Sequence, residues 1–147
     1  MMLARHWLVP LFLLFMGFTG WLGWRYTSPV TVEISSTVLN LPFEVETIPS
    51  VVEAVPGEMV RVIYRVKNNS LTGLEAYATI TIEPDQDSKQ LEVFLSQCTG
   101  LNTFQNNLPE EYEVLFRVEP AGLTGSQHLV LRHTFESATA RYQEIDQ

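Results

Sequence analysis

Few side chains in this sequence are of a type that does chemistry. There is one cysteine, Cys98, and there are three histidines, His6, His128 and His133. A single thiol excludes an internal disulfide and any cysteine-rich zinc module. It leaves three roles open: a soft-metal ligand, a thiol paired between chains, or a small buried apolar residue. His128 and His133 lie five apart in HLVLRHTFE. On a strand that odd spacing sends them to opposite faces, so they do not share a metal as neighbours on it. We read His128 as a strand-start residue and His133 as a strand-face residue. His6 precedes a long apolar run and stands apart from both. Glu110, Glu111 and Glu113 follow Leu108-Pro109 and read as a solvated turn. There is no glycine-rich phosphate loop, no G-x-S-x-G and no H-E-x-x-H. No catalytic residue or bound organic cofactor is identified, and the expectation is a protein that is not an enzyme.

Whatever these residues do, strands must position them. VTVEISSTV (30–38) alternates Val30, Val32 and Ile34 against Thr31, Glu33 and Ser35, the period of a half-buried strand. VVEAV (51–55), VRVIYRV (60–66), EAYATITIEP (75–84), LEVFLSQC (91–98), YEVLFRVEP (112–120) and HLVLRHTFE (128–136) carry the same signature. Between them lie the turn signals Pro56-Gly57-Glu58 and Lys67-Asn68-Asn69-Ser70 and the polar loop DQDSKQ. No stretch of the body sustains a helical period. The fold class is therefore all-β, an antiparallel sandwich of about seven strands. The sandwich is assigned to residues 30–137, with a flexible tail at 138–147.

The amino end is different. From Trp7 to Trp24 there is no charged residue, and an 18-residue helix is roughly 27 Å long, enough to cross a hydrocarbon core. Trp7, Trp21 and Trp24 stand where interfacial aromatics belong. We assign 1–6 as a short cytoplasmic terminus, 7–24 as a transmembrane anchor in lipid, and 25–29 as a linker. A retained anchor fits better than a cleaved signal peptide, because no A-x-A site follows the run. The expected location is an inner or plasma membrane, single-pass, with the amino terminus inside and the domain extracytoplasmic. The chain carries 9 basic and 17 acidic residues, a net of −8. Arg5 and Arg25 sit by the apolar run, leaving seven basic against 17 acidic in the body. So acidic a domain excludes nucleic acid as a partner, since phosphate contacts need Lys and Arg.

The succession of segments resembles a known family. LPFEV (41–45), VPGEMVRVIYRVKNNS (55–70), ATITIEPD (78–85), FLSQC (94–98), LPEE (108–111), VLFRVEP (114–120) and LVLRHTF (129–135) are similar, in order and spacing, to the CtaG-type cytochrome c oxidase assembly factors. VPLFLLFMGFTG (9–20) resembles that family's juxtamembrane segment. The resemblance implies an immunoglobulin-like domain behind one membrane span, delivery of Cu(I) to the copper B site, and cytochrome c oxidase subunit I as partner. It also implies a Q-C-x-C copper motif, whose two thiolates would project from one face of a strand. Here the motif reads Gln97-Cys98-Thr99-Gly100. Cys98 matches the first cysteine; Gly100, which has no ligand atom, stands in place of the second. Met16, a thioether, matches the juxtamembrane cysteine but falls in the middle of the assigned span.

Three functions remain open at this point. In the first, Cys98, with Met16 or with the Cys98 of a second copy in a homodimer, holds Cu(I) for delivery. In the second, the domain docks on the oxidase or another assembly factor without carrying metal, its acidic surface steering the partner. The third is an unrelated adhesion or carbohydrate-binding sandwich, since this architecture hosts many functions.

Overall fold

The computed structural model describes residues 28–120 and 125–139. The assigned anchor, Met16 and most of the assigned tail lie outside the described residues. Among the described residues, no helix is long and apolar enough to cross a membrane.

The described chain is all-β, with two sheets packed face to face. Nine strands follow in order: β1 (Val30–Leu39), β2 (Phe43–Ile48), β3 (Val51–Ala54), β4 (Met59–Asn68), β5 (Leu74–Glu83), β6 (Leu91–Ser96), β7 (Gly100–Phe104), β8 (Pro109–Val118) and β9 (His128–Ser137). One sheet has the order β3-β1-β9-β5-β7 and the other β2-β4-β8-β6. A short 3-10 helix, Asp85–Gln90, occupies the polar loop before β6.

Three expectations change. The strand count rises from about seven to nine, because β2 and β7 are added. Both are short edge strands, and neither carries the run of alternating apolar residues that marks a strand buried on one face. The sandwich is not purely antiparallel: β1 and β9 pair in parallel from Thr31↔His128 to Leu39↔Glu136. First and last strands can meet this way because the whole intervening chain serves as the crossover that a parallel pair requires. Finally, the Glu110-Glu111-Glu113 segment is not a turn but the first half of β8. Its carboxylates face a basic neighbouring strand: Arg61 pairs with Glu113 at 2.6 Å, and Arg65 with Glu111 at 2.8 Å and Glu46 at 2.9 Å. These pairs lie in water and contribute little singly, but they set the register of β4 against β8.

The core follows the alternation. Val30, Val32 and Ile34 of β1, Val62 and Tyr64 of β4, Val114, Phe116 and Val118 of β8, and Leu129 and Leu131 of β9 are buried together between the sheets. A second cluster closes one end of the sandwich: Val66, Ala76, Ala78, Cys98, Phe104 and Phe135, with Phe43 and Tyr112 against it. Its rings meet edge-on or tilted, Phe43 and Phe104 at 4.9 Å between centroids and Phe104 and Phe135 at 6.0 Å.

One buried polar residue organises this end. Asn68, fully enclosed, donates from Nδ2 to the carbonyls of Thr72 (2.9 Å) and Phe104 (3.0 Å), and its Oδ1 accepts from the Ser70 amide (2.9 Å). The polar turn expected from Lys67-Asn68-Asn69-Ser70 thus begins on a side chain inside the protein. Replacing Asn68 with Leu would remove all three bonds and leave the buried Phe104 carbonyl without this donor, while the Thr72 carbonyl keeps Ser70 Oγ. We expect a loss of about 2–4 kcal/mol, read as a lower urea midpoint at unchanged slope.

Candidate functional site

The motif residues sit at the crossover from one sheet to the other. β6 ends at Ser96, and Gln97, Cys98 and Thr99 form a turn before β7 begins at Gly100. The turn is fastened on three sides. Gln97 is tied to β8 by two bonds: its amide donates to the Glu113 carbonyl (3.1 Å), and its Oε1 accepts from the Glu113 amide (2.8 Å). Thr99 Oγ1 donates to Ser96 Oγ at 2.6 Å, closing the turn across its mouth. Asn102 Nδ2 donates back to the carbonyls of Cys98 (2.7 Å) and Gly100 (3.2 Å).

Gly100 takes φ +93°, in the left-handed region, and an added Cβ there would meet nothing within 4 Å. Space is therefore not the obstacle to a second cysteine; the backbone is. Any L-residue at this position would pay roughly 1–2 kcal/mol of strain. Glycine is the residue that takes this conformation without strain.

Cys98 points inward. It is fully buried in the end cluster, among Val66, Ala76, Ala78, Phe104 and Phe135. Desolvation pushes its thiol up to about 11, and a hydrogen bond with Ser96 only partly offsets this. Without a metal to displace the proton, the nucleophilic thiolate is disfavoured at neutral pH. Two copies meeting at their surfaces would not bring these sulfurs together in this conformation. Among the described residues, no group of three or more His, Cys, Asp or Glu is placed to hold a metal.

The structure brings to the turn a residue that no sequence spacing joined to it. His133 of β9 is fully buried, and its Nε2 lies 3.3 Å from Ser96 Oγ. Its ring packs edge-on against Tyr64 at 4.2 Å and stacks at 25° with Phe135. Nδ1 has no hydrogen-bond partner. Burial holds the imidazole down to about 4, and the same desolvation raises the Tyr64 phenol far above its ordinary range. His133 is thus a neutral core imidazole. The alternation Leu129, Leu131, His133, Phe135 already placed it on the inner face; nothing in the sequence joined it to Ser96. His128, on the opposite face, is exposed, with Nε2 3.8 Å from Glu33.

The comparisons with known proteins bear directly on this motif. The family model described as "Cytochrome c oxidase assembly protein CtaG/Cox11" matches residues 8–137. The chain belongs to this family. Among curated proteins it is similar to "Cytochrome c oxidase assembly protein COX11, mitochondrial" of Dictyostelium discoideum, with 26% identity over 129 residues, covering 82% of this chain and 41% of that protein. The chain therefore spans about two fifths of the length of the curated relative it matches.

His133 makes stability depend on pH in a stated direction. Its folded value, about 4, lies below the ordinary value of 6.5, so below pH 6.5 the unfolded chain binds a proton that the folded chain refuses. The stability is whole above pH 6.5 and is lost as pH falls toward 4, by about 3 kcal/mol in all. In urea titrations from pH 7 to 4, the difference in stability between the wild type and His133→Phe should shift toward the variant by that amount.

Proposed function

We propose that this chain is a membrane-anchored, non-enzymatic assembly factor for cytochrome c oxidase. It supports insertion of Cu(I) at the copper B site by docking on the oxidase rather than by carrying copper on its own thiolates. The family match supports the oxidase-assembly half of this reading. The observation that carries the other half is the pairing of a fully buried, core-facing Cys98 with a left-handed Gly100. Cu(I) as cargo prefers two soft ligands, and transfer needs them at a surface where they can be handed over. This crossover offers one thiol, buried behind a hydrogen-bonded turn.

The rest of the arrangement follows from the anchor. The apolar run at 7–24 would span an inner or plasma membrane and hold an immunoglobulin-like domain on its extracytoplasmic face, with cytochrome c oxidase subunit I as partner. An acidic domain of this kind steers itself toward basic surfaces and away from anionic lipid heads.

Copper titration separates docking from delivery. Purified chain and a Cys98→Ser variant, titrated with Cu(I) against a chromogenic chelator under reducing conditions, are expected to compete equally weakly. Tight one-to-one or one-to-two binding by the wild type, lost in the variant, would return Cys98 to the role of copper carrier.

A further inference from the structure

A sheet edge is a row of unpaired backbone groups, and folded proteins guard such edges with charge, proline, bulges or brevity. Among the described residues, three of this sandwich's four edges are guarded and one is not. β3 is four residues long, lies between Pro49 and Pro56, and carries Glu53. β2 carries Glu44 and Glu46 between Pro42 and Pro49. β6 carries Glu92 and is bulged, its register against β8 shifting between Val93 and Leu95. β7 pairs with β5 on one side only, in unbroken register from Ala78↔Gly100 to Leu74↔Phe104. It has no charge, no proline and no bulge.

The surroundings of β7 share this character. From Val93 to Pro109 there is no Asp, Glu, Lys, Arg or His, in a chain of net charge −8. Leu101 on β7 is 47% exposed, opposite Tyr77 of β5. The edge is also stiff. Asn102 bonds back to the turn, Phe104 is buried with its carbonyl held by Asn68, and the Gln105 amide donates to Glu110 at 2.9 Å. A strand fixed before binding loses little freedom on binding.

We propose that the outer edge of β7 is a seat for an extended, uncharged segment of a partner polypeptide, which adds as a sixth strand to the five-stranded sheet. Backbone hydrogen bonds supply the affinity, and alternate side chains of the added strand rest against Leu101. The charge beside this edge is acidic: exposed Glu75 on β5 stands opposite Thr103, and Glu110 holds the Gln105 amide. The added segment is therefore uncharged along its length, since an acidic one is repelled. A second copy of this chain fits less well, because it would bring another −8 to that acidic flank. The inference rests on the docking reading above and gives that docking a location.

Amide hydrogen exchange of the full chain in detergent micelles, with and without purified copper-free cytochrome c oxidase subunit I, tests it. We expect exchange across Gly100–Phe104 to slow by about tenfold or more on adding the subunit, with β2 and β3 unchanged. Leu101→Lys, at an exposed position, should weaken subunit binding by about tenfold or more, while Val51→Lys on β3 should not. Binding with β7 exchange unaltered would overturn the seat and leave the docking reading standing. No binding at all would overturn both. Protection of β7 in the chain alone, rising with its concentration, would make a second copy the occupant and overturn the proposal.

Discussion

Removal of Cys98 and His133 from water sets the chemistry of the crossover. Both side chains point between the sheets, and both approach the same hydroxyl, Ser96 Oγ. Desolvation acts on them in opposite senses, raising the thiol and lowering the imidazole, so each sits in its neutral form. The aromatic cluster of Phe43, Phe104, Tyr112 and Phe135 closes that end of the sandwich, with Cys98 packed in it. The turn above, tied to β8 through Gln97 and to itself through Thr99 and Asn102, keeps the sulfur there. A residue that reads in the sequence as half of a copper motif has become part of the core.

Gly100 and the burial of Cys98 go together. Glycine takes the left-handed conformation at the start of β7 without steric cost. With no second thiolate to share a metal, nothing requires Cys98 to face outward, and burying a small apolar thiol is favourable. The segment around the crossover, from Val93 to Pro109, carries no charged side chain, and the thiol lies beneath it. Such a surface is suited to contact with protein rather than to chemistry.

Much of this was legible in the sequence, and the remainder was not for identifiable reasons. Alternation along 30–38, 60–66, 75–84 and 128–136 gave the long strands and their inner faces, because residues buried on one face of a strand must repeat every second position. It put His128 and His133 on opposite faces, and the structure has His133 buried and His128 exposed. It missed β2, where Phe43, Val45 and Thr47 alternate with exposed residues but are themselves only half-buried at an edge. It missed β7, where Gly100 and Asn102 occupy the inward positions and leave no apolar pattern to see. It read Glu110-Glu111-Glu113 as a turn because the partners that make it a strand, Arg61 and Arg65, lie some fifty residues away in sequence. The convergence of Ser96, Cys98 and His133 likewise joins distant strands, and no local spacing announces it.

The claim that this crossover works without a metal-bearing thiol is tested most directly inside the cell. With Cys98→Ala as the only copy, and its abundance matched to wild type by immunoblot, the copper content and activity of the assembled oxidase would be measured together. The account predicts both at wild-type levels, with both lost when the chain is deleted. Oxidase that assembles short of copper in the Cys98→Ala cells would contradict it.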